Sequence, residues 1–193
     1  DIPVDLIRRI RNELPFETIM TGYGLSEGGT ATASRRGDTF EQIATTVGLP
    51  CDGIEVRIAD DGEVLMRGYN VMQGYFDDAQ ATAEAIDADG WLHTGDLGEL
   101  GTDGRLRIIG RKKDMFIVGG FNAYPAEIEG FLLTHPAVDQ VAVIGVPDER
   151  LGQVGKAFVV TKSTVTEDDL ISWSREHMAG FKVPRSVEFL GSL

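Results

Sequence analysis

The 193-residue sequence predicts a mixed protein, α/β and α+β in class, in which a β-rich region is followed by a small α+β region. Two observations lead to this expectation. Residues 47–110 alternate apolar and polar positions between Asp-Gly turns, whereas after Asp114 short apolar runs alternate with helix-like segments. The charged run from Arg111 to Asp114 separates the two patterns. We therefore expect two structural units that meet near this run.

Composition excludes several classes of protein. Hydrophobic residues make up 42% of the chain, which is enough for a core, and 31 acidic against 18 basic residues give a net charge of −13. This charge argues against a nucleic-acid partner, because such binding depends on clustered Lys and Arg. Cys51, the only cysteine, excludes an internal disulfide and is typical of a cytoplasmic protein. No apolar run reaches the roughly 18 residues of a membrane span. The sequence leaves open whether the protein forms a homo-oligomer.

The first third of the chain predicts a helix, a strand and a polar turn. Apolar residues at helical spacing predict an amphipathic helix over residues 4–14. Residues 18–20 predict a strand that leads into the glycine-rich turn 21–30. Because the sequence lacks an initiator Met and stops just after a predicted strand, we expect a fragment of a longer protein.

The remaining elements follow from turn signals and periodicity. Hairpins are predicted around residues 60–62 and 102–104. Beyond Asp114 we expect strands at 115–118, 138–146, 156–161 and 186–190, and helices at 125–134 and 167–179. Thr166 and Asp169 have the spacing of a capping box at the start of the second of these helices.

The loop Gly22 to Gly28 has two chemical interpretations. Its last five residues match G-x-S-x-G, the nucleophile elbow of α/β-hydrolases, with Ser26 as nucleophile. Alternatively, Tyr23 between two glycines offers an aromatic face to a flat ring, Ser26 offers a hydroxyl to a phosphate, and Glu27 offers a hard oxygen ligand for Mg²⁺. A purely structural loop, with Tyr23 packed and Glu27 facing water, is a third interpretation.

Two further segments contain candidate functional residues. Asp96, next to Gly95, has the acceptors to hold a vicinal diol such as ribose, or to bind the backbone of a turn. His93 is expected to bond locally rather than to act as a base. Gly119 and Gly120 free the backbone for a turn or for the close approach of a ligand. Pro125 then fits the first turn of a helix.

Together and in this order, the motifs resemble the adenylate-forming superfamily of acyl-CoA synthetases, luciferases and peptide-synthetase adenylation domains. The segments that carry the resemblance are Tyr23–Glu27, Gly62–Gly68 with Gly74-Tyr75, Gly90–Leu97, Gly110–Glu129 and Gly180–Arg185. Motifs spread in order over most of the chain are far more specific than any one of them.

The resemblance implies a role for each candidate residue. Gly22 and Tyr23 would form the adenine platform, Asp96 and Arg111 would hold the ribose, and Ser26 would stand near the α-phosphate in place of the usual Thr. Glu27 would be the Mg²⁺ ligand. Lys113 would be the hinge, and Gly119, Gly120 and Phe121 would line the tunnel for the pantetheine of CoA. Asn122 would lie near the nucleotide phosphate, a weaker inference because relatives have a longer Gln or Arg there.

The resemblance also implies a domain division. Residues 1–112 would be the end of the large ATP-binding domain, with a β-rich subdomain at about 47–110, and 113–193 a small mobile C-terminal domain. The family's phosphate loop would lie upstream of Asp1 and its catalytic lysine beyond Leu193. The chain alone is therefore expected to form no acyl-adenylate.

The implied reaction uses ATP, Mg²⁺ and CoA to convert a carboxylic acid into an acyl-adenylate and then into an acyl-CoA. The segment Phe121–Glu127 resembles fatty-acid ligases, and the wider pattern resembles actinobacterial members that act on steroid-derived propanoates. A medium- or long-chain fatty acid and a polycyclic propanoate both stay open as substrates. A non-catalytic nucleotide-binding half-enzyme is the alternative function.

Overall fold

The computed structural model of the protein describes residues 4–192, and side chains from Leu6 onward. The start of the first predicted domain and the end of the second, residues 1–3 and 193, lie outside the described residues. The chain divides into two compact units, Asp1–Ile109 and Gly110–Leu193, each with its own sheets and core. The functional division after residue 112, with a hinge at Lys113, stays a prediction. Within residues 4–192, no helix is long and apolar enough to cross a membrane.

The first unit contains two β-sheets. Its elements are α1 (Val4–Glu13), β1 (Gly22–Leu25), β2 (Gly29–Ala33), α2 (Phe40–Thr45), β3 (Leu49–Pro50), β4 (Ile54–Ile58), β5 (Glu63–Gly68), α3 (Ala79–Ala85), β6 (Leu92–Leu100) and β7 (Leu106–Arg111). One sheet has the order β1-β2-β3 and the other the order β4-β5-β6-β7. The hairpin predicted at 60–62 is confirmed by the antiparallel pairing of β4 with β5. The hairpin predicted at 102–104 is confirmed too, since β6 and β7 are neighbours in the sheet.

The N-terminal predictions have different outcomes. The helix is confirmed, and Ile7 on its apolar side is only 2% exposed. The strand predicted at residues 18–20 is wrong, because this segment is irregular and β1 begins at Gly22. Met20 is 59% exposed, so its apolar side chain does not face a core. Helices α2 and α3, of six and seven residues, were not predicted.

The two sheets of the first unit share one hydrophobic cluster. Met66 and Leu92 from the four-stranded sheet are fully or almost fully buried, and they cluster with Ala31 from the three-stranded sheet. Gly28 lies so close to Met66 that a Cβ atom there would be 2.5 Å from the sulfur. This packing fixes the β1–β2 turn against the larger sheet.

Trp91, directly before β6, packs against two arginines. Its ring is 8% exposed, and the guanidinium carbons of Arg57 and Arg67 lie 4.2 and 4.5 Å from ring centroids. A guanidinium close to an indole is attracted by the ring's electron density. Trp91 is therefore held by charge as well as by burial.

The second unit is a five-stranded sheet with two helices. Its elements are β8 (Phe116–Val118), β9 (Phe121–Ala123), α4 (Pro125–Leu132), β10 (Val138–Asp148), β11 (Gly152–Thr161), α5 (Glu167–His177) and β12 (Ser186–Phe189). The strand order is β10-β11-β8-β9, and β12 pairs in parallel with β11. Each predicted element of this region is present, but β9 was not predicted. The capping box of Thr166 and Asp169 is confirmed.

The core of the second unit lies where the two helices cover the sheet. Leu132 from α4 and Leu170 from α5 are each 1% exposed and cluster with Val138 and Val159 of the sheet. Trp173 of α5 borders this core, and its ring centroid is 4.5 Å from that of Phe131. Helix packing therefore depends on a few large apolar side chains.

Adjacent leucines at the end of α4 provide a stability test. Leu132→Ala is expected to lower the free energy of unfolding by about 2–5 kcal/mol, because it leaves a cavity in the core. Leu133→Ala is the matched control, since Leu133 is 36% exposed, and should cost less than about 1 kcal/mol. Urea unfolding of the 193-residue chain measures both, and equal losses would contradict this description of the core.

Candidate functional site

Hairpin β1–β2 carries four of the predicted site residues. Gly22 and Tyr23 lie on β1, and the exposed Ser26 and half-buried Glu27 lie in the turn before β2. At Gly24 a Cβ atom would be 2.2 Å from the carbonyl oxygen of Gly29. From the sequence, the glycines around Tyr23 are interpreted as leaving room for a ligand. In the structure, Gly24 is needed to let the two strands of the hairpin approach each other.

The α/β-hydrolase interpretation of Ser26 is wrong. A nucleophile elbow is a sharp turn from a strand into a helix. Here the turn joins two antiparallel strands, and residues Gly29–Ala33 form β2. The G-x-S-x-G match therefore has no elbow geometry.

Tyr23 and Asp96 meet across the two sheets of the first unit. The phenol of Tyr23 donates a hydrogen bond to Asp96 Oδ2 with an oxygen–oxygen distance of 2.7 Å. Tyr23 is half-buried against the cluster of Met66 and Leu92, so its ring is fixed by packing. An aromatic ring and a carboxylate from motifs 73 positions apart are thus side by side.

His93 bonds within the first unit, as predicted. Its Nδ1 atom lies 3.0 Å from Oε2 of Glu63, a carboxylate on β5 that is 5% exposed. The other oxygen of Glu63 accepts a hydrogen bond of 2.9 Å from the backbone N–H of Gly95. Glu63 was not predicted as a site residue, although a carboxylate before the apolar run Val64-Leu65-Met66 is a usable signal.

A loop after β5 holds the β1–β2 turn and Glu27. The Met72 N–H donates to the carbonyl oxygen of Glu27 at 2.7 Å, and the Asn70 side-chain amide donates to the carbonyl oxygen of Thr30 at 3.1 Å. The phenol of Tyr75 donates to Glu27 Oε1 at 3.0 Å. Both the backbone and the side chain of Glu27 are therefore held by this loop.

The Tyr75 contact changes the acidity of the phenol. Its hydrogen bond to the Glu27 carboxylate raises the pKa of Tyr75, and desolvation and the negative charge of Glu27 act in the same direction. Since the pKa in the folded state is above the ordinary value of about 10, the contact stabilises the fold below that pH. This contribution is lost as the pH rises through the raised pKa.

The predicted site residues of the second unit are grouped in one hairpin. Gly119 and Gly120 form the two-residue loop between β8 and β9, with φ angles of 57° and 91°. Two consecutive positive φ angles favour glycine and match the twist of a tight hairpin. The predicted turn is confirmed, and it presents the exposed side chains of Phe121 and Asn122 on β9.

Phe121 is supported from a distant turn of the chain. Its ring stacks on that of Phe181 with a centroid distance of 5.0 Å and an interplanar angle of 18°. The next residue, Lys182, pairs with Glu127 on α4. Phe121 is still 60% exposed, so the stack fixes one face of the ring and leaves much of it accessible.

Arg111 and Lys113 follow the division between the two units after Ile109, a division that falls within β7. Arg111 is the last residue of β7, and its carbonyl oxygen accepts from the N–H groups of Asp114 and Met115. Lys113 is exposed in the resulting turn. Among the residues with described side chains, no group of three or more His, Cys, Asp or Glu could hold a metal ion.

The two sheets of the first unit place an aromatic ring against a carboxylate. A small α+β unit with a glycine hairpin follows along the chain. These features agree with the class of protein that sequence comparison identifies. A sequence model of the AMP-binding enzymes matches residues 1–76, and a model of the AMP-binding enzyme C-terminal domain matches residues 127–193. The chain belongs to the AMP-binding enzymes, which confirms the predicted superfamily.

Individual relatives within the family show which enzymes this chain is similar to. A 3-[(3aS,4S,7aS)-7a-methyl-1,5-dioxo-octahydro-1H-inden-4-yl]propanoyl:CoA ligase from Mycobacterium tuberculosis is 54% identical over 195 residues, covering 100% of this chain and 38% of the relative. A long-chain-fatty-acid–CoA ligase from Salmonella typhimurium is 41% identical over 188 residues, 92% of this chain and 33% of the relative. The crystal structure of ATP-bound MatB from Rhodopseudomonas palustris matches with a TM-score of 0.92 and 30% identity, over 99% of this chain and 40% of that chain. The chain thus spans well under half the length of these relatives.

The contact between Glu27 and Tyr75 can be tested by alkaline titration. Glu27→Gln is expected to lower the pKa of Tyr75, because the neutral amide would not repel an ionised phenol. Tyrosinate absorbance of the 193-residue chain follows this ionisation, and Tyr75→Phe should remove the step that Glu27→Gln shifts. Glu149→Gln, the same change at an exposed position of the second unit, is the control. An unshifted titration in Glu27→Gln would contradict the contact.

Proposed function

We propose that this chain is the nucleotide-binding end of an AMP-forming acyl-CoA ligase. The observation that carries the proposal is the 2.7 Å hydrogen bond between Tyr23 and Asp96. An aromatic ring suits a flat adenine, and an adjacent carboxylate suits the hydroxyls of the attached ribose. Adenosine has both an aromatic base and a vicinal diol, so the pair favours a nucleoside ligand over a generic anion.

The other nucleotide contacts are assigned by their positions in the family motifs. Gly22 extends the adenine platform of Tyr23, and Arg111 reaches the same ribose as Asp96. The Ser26 hydroxyl, exposed in the β1–β2 turn, binds near the α-phosphate. Asn122 on β9 is assigned to the nucleotide phosphate, although its side chain is shorter than the Gln or Arg of relatives.

Glu27 fits a Mg²⁺ ion that arrives with ATP. Mg²⁺ keeps several waters and is usually held by one or two carboxylates together with substrate phosphates, so a cluster of protein ligands is not required. The half-buried Glu27 carboxylate supplies one such ligand next to Ser26. Bound there, the ion would offset the negative charge that develops on the phosphates.

The proposed reaction has two half-reactions that use the two units in turn. The carboxylate of the acid attacks the α-phosphate of ATP, and pyrophosphate leaves. The thiol of CoA then attacks the acyl carbon of the acyl-adenylate, and AMP leaves. Gly119, Gly120 and Phe121 guide the thiol in the second step, after the small unit has rotated about Lys113.

For the acid, we propose a fused-ring propanoate. The 54% identity to the indenyl-propanoyl:CoA ligase supports this choice over a fatty acid, since the long-chain ligase is 41% identical.

A cytoplasmic location belongs to the same proposal and is supported by the absence of any disulfide-forming pair of cysteines.

A panel of acids tests the activity directly. A full-length protein that contains this chain is incubated with ATP, Mg²⁺, CoA and either a bicyclic propanoate or a fatty acid, and AMP release is measured. We expect AMP release with the propanoate, and Asp96→Ala should reduce it strongly. Nucleotide binding without AMP release for any acid would instead favour a non-catalytic half-enzyme. The 193-residue chain alone serves as the inactive control.

The hinge proposal makes a separate prediction. Lys113→Pro in the full-length protein fixes φ at this residue and should spare one half-reaction while impairing the other at least about tenfold. Lys113→Ala removes the charge but leaves φ free, so it is the matched control. ATP–pyrophosphate exchange measures the first half-reaction, and acyl transfer from preformed acyl-adenylate to CoA measures the second. Equal losses of both in the proline variant would reject a pivot at Lys113.

A further inference from the structure

Strand β6 departs from regular pairing next to Asp96. Glu63 of β5 pairs with Leu97, and Leu65 pairs with His93, so residues 94–96 of β6 lie opposite Val64 alone. Gly95 within this bulge has a φ of 71°. A bulge of this kind leaves backbone groups without ladder partners and redirects side chains, which is why bulges are common beside active sites.

Two side chains replace the missing ladder bonds. Glu63 Oε1 accepts from the Gly95 N–H at 2.9 Å. The Thr94 hydroxyl donates to the carbonyl oxygen of Val64 at 2.7 Å and accepts from the Asp96 N–H at 3.1 Å. The second oxygen of Glu63 is 3.0 Å from His93 Nδ1. Since the Glu63 carboxylate is 5% exposed, these bonds also offset the cost of burying it.

The bulge determines where Asp96 is presented. Its backbone N–H is bound by Thr94, and its carboxylate accepts the hydrogen bond from Tyr23. Without the Thr94 hydroxyl the bulge would lose its bonds to the carbonyl oxygen of Val64 and to the N–H of Asp96. Displacement of a binding group by about 1 Å is enough to cost up to about 100-fold in function.

We propose that Thr94 and Glu63 are positioning residues that hold Asp96 in place for the ribose hydroxyls of the nucleotide. This inference rests on the proposed function, in which Asp96 binds the ribose. Neither residue needs to touch the nucleotide. Their effect should therefore appear only with ligands that have ribose hydroxyls.

The test compares the affinities of ATP and 2′,3′-dideoxy-ATP for the full-length protein that contains this chain, measured by calorimetry. Thr94→Val keeps the shape of the side chain but removes both hydrogen bonds. It should weaken ATP binding by about tenfold and leave dideoxy-ATP binding unchanged. Thr94→Ser keeps a hydroxyl and should restore ATP binding. Thr102→Val, at an exposed position in the β6–β7 turn, is the matched control.

Equal weakening of ATP and dideoxy-ATP binding by Thr94→Val would overturn the inference, because the bulge would then support only the fold. If Asp96→Ala, which removes both acceptor oxygens, also fails to change the preference for ATP over dideoxy-ATP, the proposed ribose role of Asp96 is itself rejected. Should Thr94→Val fail to fold, Glu63→Gln provides the same comparison, with selective loss of ATP affinity expected and equal loss again overturning the inference.

Discussion

The contact between the two sheets of the first unit is the constraint on which the candidate site depends. Met66 and Leu92 pack with Ala31 across the sheets, and Gly28 has no room for a side chain beside Met66. A hydrogen bond to a charged group contributes at most about 3 kcal/mol, which is too little to hold two sheets together. The bond between Tyr23 and Asp96 is therefore a consequence of the apolar packing. The packing of the core sets the positions of the residues in the candidate site.

Much of the fold could be predicted because its signals are local. Asp-Gly turns marked the hairpins, Pro125 marked the start of α4, and the Thr166–Asp169 capping box marked α5. The failures have physical reasons. Residues 18–20 have a strand-like composition but no sheet to join. Helix α2 was missed because its six residues are too few for a periodic apolar pattern.

The candidate site was only partly predictable for a related reason. Tyr23 and Asp96 were found through motifs, but their contact comes from sheet packing over 73 positions. Glu63 and Tyr75 were not identified as site residues, since their relevance lies in the partners they hold. A register shift such as that at Gly95 has no sequence signature beyond a single glycine. Positioning residues are thus less visible in a sequence than the residues they position.

The placement of the two tryptophans has a practical consequence. The chain has two, Trp91 in the first unit and Trp173 in the second. Trp91 lies close to two guanidinium groups, whereas the ring centroid of Trp173 is 5.1 Å from that of His177. Each compact unit therefore contains one intrinsic fluorophore in a distinct environment. Replacing either indole by phenylalanine would leave an emission signal that reports on one unit alone.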